Sequence, residues 1–325
     1  MKIATCLIDK QAYLAIIIDE FAYPIPKDHP ELPSTIYELL AQGASGFDKL
    51  KNIQDQILAG KSEIIPAYHL KEIQLLAPIP RPNSFRDAYA FRQHVETSRA
   101  NRNLPMIPEF DEFPVFYFSN HLSIQGPGPV YIMPKQFEQL DFELEIAILI
   151  HKEGRNIQAK DADNYIAGYM ILNDFSARKL QMEEMKLNLG PAKGKDFATA
   201  IGPYLVSKDE LKPYLIPTKP GHIGDSYALT MTCKVNGIQV SQGNAIDMHW
   251  TFAEIIERAS YGVTLYPGDL IGSGTVGTGC FLELNGTAIR SNPNAQMQWL
   301  QANDLVELEI TALGTLKNQV ILDIF

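Results

Sequence analysis

Cysteine is scarce in this chain of 325 residues: Cys6, Cys233 and Cys280 stand far apart and are odd in number. Such a set excludes a disulfide framework and the closely spaced pairs of a zinc ribbon, and it suits a reducing compartment. Long apolar runs are missing too. The stretch YLAIII over 13–18 is closed by Asp19 and Glu20, well short of the roughly 20 residues a membrane helix needs, and no cleavage site follows it. The expectation is a cytoplasmic protein with no membrane partner. Positive charge is in deficit, with 28 Lys and Arg against 38 Asp and Glu and a formal charge of −10. With no basic, aromatic-interleaved stripe, nucleic acid is excluded as a partner. Internal repeats, low-complexity tracts, a G-x-S-x-G elbow and an H-E-x-x-H helix are also absent from the sequence.

What is present is an ordinary globular composition, 46% hydrophobic and 20% charged, with enough length for a large core. The segment LAPIPRP over 76–82 cannot be helical, since each proline lacks a donor and disfavours αR in the residue before it. It reads as a linker between a small N-terminal α+β domain, residues 1–75, and a larger domain, residues 76–325. In the first, two short strands within 1–20 precede a helix opened by the Thr35/Glu38 spacing of a capping box and stopped at Gly43. A second helix over 47–58 sets Phe47, Leu50, Ile53 and Ile57 along one face.

In the larger part, residues 84–102 read as a polar helical or 3₁₀ stretch carrying Asp87 and His94. Strands are expected over 115–118, 130–133 and 141–150, and an apolar stretch over 166–172 leads to Asp174. A helix over 176–185 places Arg178 and Gln181 three apart on one face. Asn236-Gly237 marks a hairpin, and Thr251 with Glu254 caps a helix that ends before Gly262. CFLEL over 280–284, carrying Glu283, looks strand-like, as do 305–310 and 320–325. The fold class is α+β and β-rich.

The 141–150 segment, DFELEIAILI, sets Glu143 and Glu145 two apart in an apolar run. Alternation puts Asp141, Glu143, Glu145, Ala147 and Leu149 on one face and an entirely apolar set on the other. Two such carboxylates either face water at the start of an edge strand, share a proton, or hold a cation, for which a hard divalent ion is the economical choice. Two glycine motifs do not carry their usual meaning. Gly190, Gly194 and Lys195 miss the P-loop spacing, with Asp196 where a hydroxyl belongs; GSGTVG over 272–277 lacks the βαβ context of a dinucleotide loop. The latter instead suggests backbone passing close to a ligand.

Asp87 with His94 seven residues on, Glu143-x-Glu145, Asn173-Asp174 with Arg178 and Gln181, Gly194-Lys195, and Ser273-Gly274-Thr275 with Glu283 together resemble the fumarylacetoacetate hydrolase family. The likeness runs over about residues 75–320 and is to its shorter, bacterial-type members rather than to a full-length fumarylacetoacetase. It implies mixed, mostly antiparallel sheets rolled around a metal site, in a homodimer. It assigns Asp87, Glu143, Glu145 and Asp174 as ligands of a divalent metal, magnesium first and calcium or manganese as alternatives. It assigns His94 as base with Glu283 orienting it, Lys195 beside them in catalysis, and Tyr89, Arg178, Gln181 and Thr275 to substrate. Met185 stands where true fumarylacetoacetases place a tyrosine, and the arginine expected after the histidine has only Arg102 nearby.

The chemistry implied is hydrolysis of a C–C bond in an acylpyruvate, 1,3-diketone or fumarylacetoacetate-like oxo acid, with His94 taking a proton from water and the metal stabilising the departing enolate. The alternative on the same metal is an isomerase or decarboxylase of a 2-oxo dioic acid. A noncatalytic metal-binding module is the third reading.

Overall fold

The apolar face of the paired-glutamate strand organises the architecture. The computed structural model describes residues 1–61 and 65–324; residues 62–64, inside the expected small domain, and Phe325, at the end of the strand expected over 320–325, lie outside the described residues. Leu144–Ile150 is the strand. Leu144, Ile146, Ile148 and Ile150 pack into a core shared with Met231, Cys233, Leu308 and Val320. On its other face Ala147 and Leu149 join a second core with Ile36, Leu39 and Leu50. Each leucine or isoleucine among them stabilises by about 1.5–3 kcal/mol when fully buried, and a slip of one residue would turn Glu145 into the isoleucine face. Register is therefore strongly specified, and the carboxylates are held at one edge of a strand covered on both sides.

The large sheet runs, in spatial order, through Phe21–Pro24, Gln11–Ile18, Lys2–Ile8, Thr199–Val206, Ile166–Asp174, Leu144–Ile150, Asp269–Gly272, Ser84–Ala88 and Phe116–Ser119. A second sheet orders Ile238–Asn244, Thr230–Val235, Leu305–Ile310, Gly314–Leu322 and Gly128–Ile132. Pairing is mostly antiparallel; Asp269–Gly272 runs parallel to Ser84–Ala88, and Gly314–Leu322 parallel to Gly128–Ile132. Lys2 pairs with Val206 and Ile3 with Leu205, so backbone hydrogen bonds cross the division drawn at residue 75. The result is the expected β-rich α+β fold. Among the described residues no helix is long and apolar enough to cross a membrane.

Local signals appear where their chemistry places them. Thr35 caps Ile36–Gln42 by accepting from the Glu38 N–H, while the Glu38 carboxylate reaches the N–H of Ser34 rather than of the cap itself. Ala44–Leu58 follows at once. Thr251 and Glu254 form the full reciprocal box on Phe252–Ser260, and Asn236 and Gly237 take the left-handed conformations of a two-residue hairpin, φ 52° and 79°.

Three expectations need correction. Residues 84–102 are not one helical stretch: Ser84–Ala88 is a strand, recruited by pairing with Asp269–Gly272, and only Arg92–Ala100 is helix. Tertiary pairing overrides local propensity there. The 280–284 run opens the helix Phe281–Ser291, a short apolar run that periodicity cannot assign. Asp141 belongs not to the glutamate strand but to Leu140–Asp141, which pairs with Ser176–Ala177.

Candidate functional site

Three carboxylates converge at the upper edge of the large sheet. Asp87, next to the last residue of its strand, pairs with Gly272 on one side and Tyr117 on the other, while Glu143 and Glu145 flank the start of theirs. Oxygen atoms of Asp87, Glu143 and Glu145 lie within 4.8 Å of one another, and all three residues are buried. Gly272 makes this possible: a Cβ there would stand 2.5 Å from Asp87 Oδ1 and 3.2 Å from Glu145 Oε2. Gly274, at φ +78°, turns its N–H to both carboxylates, 3.2 Å from Asp87 Oδ1 and 3.0 Å from Glu145 Oε2. The GSGTVG segment thus brings backbone against carboxylates, not phosphates.

Asp174, the fourth expected ligand, lies beside the trio rather than in it. It accepts from Lys195 Nζ at 2.8 Å, from the Tyr117 hydroxyl at 2.6 Å and from Thr199 at 3.3 Å. The Tyr117 hydroxyl also lies 3.3 Å from Asp87 Oδ2, linking the two aspartates. Lys195 donates to Glu143 as well. Arg178 distributes its N–H groups among Asp141 and Glu143, both at 2.8 Å, and Gln181 at 3.0 Å. Asp141 is held in turn by the N–H groups of Phe281 and Leu282, which ties the start of the helix Phe281–Ser291 to the strand Leu140–Asp141.

The charges do not balance. Asp87, Asp141, Glu143, Glu145 and Asp174 are buried, and among the described residues the cations that reach them are Arg178 and Lys195, five carboxyl groups against two cations, and both cations are spent on Asp141, Glu143 and Asp174. Among the described residues Asp87 and Glu145 receive only neutral donors, and they hydrogen-bond to each other by sharing a proton. Burial first, then Asp174, pushes Asp87 up to about 7, and burial with the Asp87 charge pushes Glu145 well above the usual carboxylate range. Burial also raises Asp174, against the pull of Lys195. For Glu143 burial works upward too, but Lys195 and Arg178 outweigh it and hold the group at about 2. Burial would lower Lys195, yet Asp174 and Glu143 more than offset it, so the amine stays an ammonium. Two buried carboxylates without a cation, on an all-oxygen donor set, are what a hard divalent ion fits, and the residues present meet that demand.

Above the carboxylates His94, from the helix Arg92–Ala100, places Nδ1 2.6 Å from Glu283 Oε2. Both are buried. With Nδ1–H donating to the carboxylate, Nε2 is the nitrogen left to exchange protons. A His94 nitrogen also lies within 4.8 Å of a Glu143 oxygen and of Cys280 Sγ. Tyr89 stacks edge-on to His94 with centroids 5.8 Å apart, and burial pushes its phenol up to about 12, so it remains a neutral donor.

His94, Tyr89, Lys195, Arg178, Gln181 and Thr275 open with the trio onto one cleft of about 580 Å³. Glu283 and Asp174 stand directly behind it. Tyr117 and Asp141 are not among the site residues read from sequence, and Gly272 entered only within the GSGTVG segment; Tyr117 declares itself through strand pairing with Asp87 and Asp141 through Arg178.

Comparison with known proteins agrees with this geometry. The family model described as fumarylacetoacetate (FAA) hydrolase C-terminal matches residues 83–321. Human mitochondrial oxaloacetate tautomerase FAHD2A is 30% identical over 293 residues, 90% of this chain and 81% of that protein. Oxaloacetate tautomerase YisK of Bacillus subtilis strain 168 is 28% identical over 331 residues, 98% of this chain and 100% of that one. Among solved structures, a fumarylacetoacetate hydrolase (EaFAH) from psychrophilic Exiguobacterium antarcticum superposes with a TM-score of 0.72 at 23% identity, covering 99% of this chain and 100% of that chain. At that identity the likeness speaks to the fold alone.

Proposed function

Because the chain belongs to the fumarylacetoacetate hydrolase family, we propose that it is a divalent-metal-dependent enzyme interconverting the keto and enol forms of a 2-oxo acid, with oxaloacetate the simplest test substrate. The relatives named oxaloacetate tautomerases support this over the hydrolytic reading, so the hydrolysis expected first from sequence gives way to the isomerase alternative. The observation that carries it is the buried His94–Glu283 pair set beside the carboxylate trio. Such a pair can move a proton to and from a carbon beside a 2-oxo group that an ion held by the trio would polarise.

Asp87, Glu143 and Glu145 would hold the ion, with Asp174 supporting them through Tyr117 and Lys195. The bound ion would supply electrophilic polarisation of the 2-oxo group, making the adjacent carbon acidic. His94 Nε2 takes the proton from that carbon, and Glu283 stabilises the imidazolium formed. The same nitrogen returns the proton to the oxygen or, in reverse, to the carbon. The Lys195 ammonium and the Gln181 amide orient the substrate carboxylate, and the neutral Tyr89 hydroxyl offers a further donor. No bond between carbons breaks.

The test is to mix enol oxaloacetate with protein and magnesium and follow the enol absorbance while assaying pyruvate. Faster ketonisation without pyruvate supports the reading. Pyruvate release, or cleavage of an acylpyruvate with no effect on tautomerisation, counts against it.

A further inference from the structure

The cleft is larger than a four-carbon diacid requires, and its two ends differ in chemistry. At about 580 Å³ it falls within the roughly 300–1,000 Å³ of sites that take drug-sized ligands. Its floor is charged and buried: Asp87, Glu143, Glu145, Arg178 and Lys195 are each no more than 5% exposed. Its outer wall is apolar. Met182 and Met185 face the cleft from the helix Arg178–Met185, Ile289 from Phe281–Ser291, and Met297 and Trp299 from the segment after it. Met185, Ile289 and Met297 are 45%, 36% and 52% exposed.

This gradient inverts the usual one, in which polarity increases toward solvent. Methionine is an adaptable lining for irregular apolar groups, and its sulfur contacts aromatic edges well. On the opposite wall the buried Ser98 hydroxyl has no hydrogen-bond partner among the described residues and Arg102 borders the cleft, so a second carboxylate would have to be read there by Arg102. Asn101 donates to the Glu283 carbonyl at 3.0 Å, and Arg102, largely in solvent, already gives its Nε–H to the Ser98 carbonyl at 3.1 Å.

We infer that this chain's preferred substrate is a 2-oxo acid bearing an apolar, ring-sized substituent on the carbon next to the oxo group, its head on the charged floor and its substituent against the methionine wall. The inference rests on the tautomerase reading for what happens to the head, and on the cleft alone for what the substituent is.

Two measurements separate these. The first compares binding, by calorimetry with magnesium present, of two unreactive head-group mimics, oxamate and N-phenyloxamate. The inference expects N-phenyloxamate to bind at least tenfold more tightly, with Met185→Ser/Met297→Ser removing most of that advantage and leaving oxamate within twofold. Equal affinities, or an advantage insensitive to the double variant, overturn it. So does tighter binding of oxaloacetate's diacid analogue oxalacetate oxime that Arg102→Met abolishes, since Arg102 would then be reading a distal carboxylate. The second measurement is ketonisation of the enols of phenylpyruvate and oxaloacetate. A kcat/KM at least tenfold higher for phenylpyruvate is expected; preference for oxaloacetate overturns the inference. If neither enol is turned over, the tautomerase reading fails while the binding comparison still decides the substituent.

Discussion

His94 Nδ1 and Glu283 Oε2 lie 2.6 Å apart although 189 residues separate them in the chain. The contact joins the helices Arg92–Ala100 and Phe281–Ser291, and Asn101 reinforces it by donating to the Glu283 carbonyl. A carboxylate placed on one ring nitrogen fixes which nitrogen can serve as base. Glu283→Gln keeps the shape and removes the charge, so turnover should fall by roughly 10²–10⁴-fold, the range typical of lost acid–base catalysis. Metal affinity should be unchanged in a calorimetric titration, because Glu283 takes no part in the trio.

Gly272 makes a different prediction. Its missing side chain is the space that Asp87 Oδ1 and Glu145 Oε2 occupy. Gly272→Ala should therefore weaken divalent-metal binding by roughly 10–100-fold, as disturbed support of metal ligands does, with little change in far-UV circular dichroism. An unaltered affinity would show that the carboxylates relax around the methyl group at no cost.

Stability should depend on pH and metal together. Asp87 is raised from its model-compound value of 3.8 to about 7, so the folded protein holds this proton more tightly than the unfolded chain. That contribution is fully present below pH 4 and is lost as pH rises toward and through 7. Metal-free protein should lose stability over this window, and a fixed magnesium concentration should raise Tm more at pH 8 than at pH 6, because the ion competes with the proton. A metal-induced shift independent of pH would contradict this.

Lys195 bridges Glu143 and Asp174, and all three are buried. Lys195→Met leaves buried Asp174 without its cation and Glu143 with Arg178 alone, which should cost about 3–5 kcal/mol in urea unfolding with chelator present. Restoring the metal should recover part of this loss and none of the activity. A change within about 0.5 kcal/mol, the range of ordinary surface substitutions, would mean that the carboxylates are already protonated.

Much of this architecture was legible where the signal was local. Thr35 and Thr251 mark helix starts because a capping hydroxyl acts within one turn, and Asn236-Gly237 marks its hairpin because few residues take that conformation. The Glu143-x-Glu145 pair was legible through alternation against an isoleucine face, and its partners came only from the resemblance in residue order. What depended on distant pairing was not. Ser84–Ala88 is a strand because Asp269–Gly272 lies beside it, and Tyr117 reaches the aspartates because its strand pairs with that of Asp87. The glycines over 272–277 were correctly denied a nucleotide, yet their role against Asp87 and Glu145 follows only from the approach of three separate strands. Arg178, assigned to substrate by the resemblance, borders the cleft and also gives N–H groups to Asp141, Glu143 and Gln181; no spacing rule reports such sharing.

The central claim, that the buried trio and the His94–Glu283 pair act together on a 2-oxo acid, is tested most directly by stopped-flow ketonisation of enol oxaloacetate under three conditions. These are wild type with magnesium, wild type with chelator, and His94→Ala with magnesium. The account predicts acceleration in the first alone, with calorimetry showing that His94→Ala still binds the metal. Equal rates in all three, with the metal bound in the first and third, would contradict it.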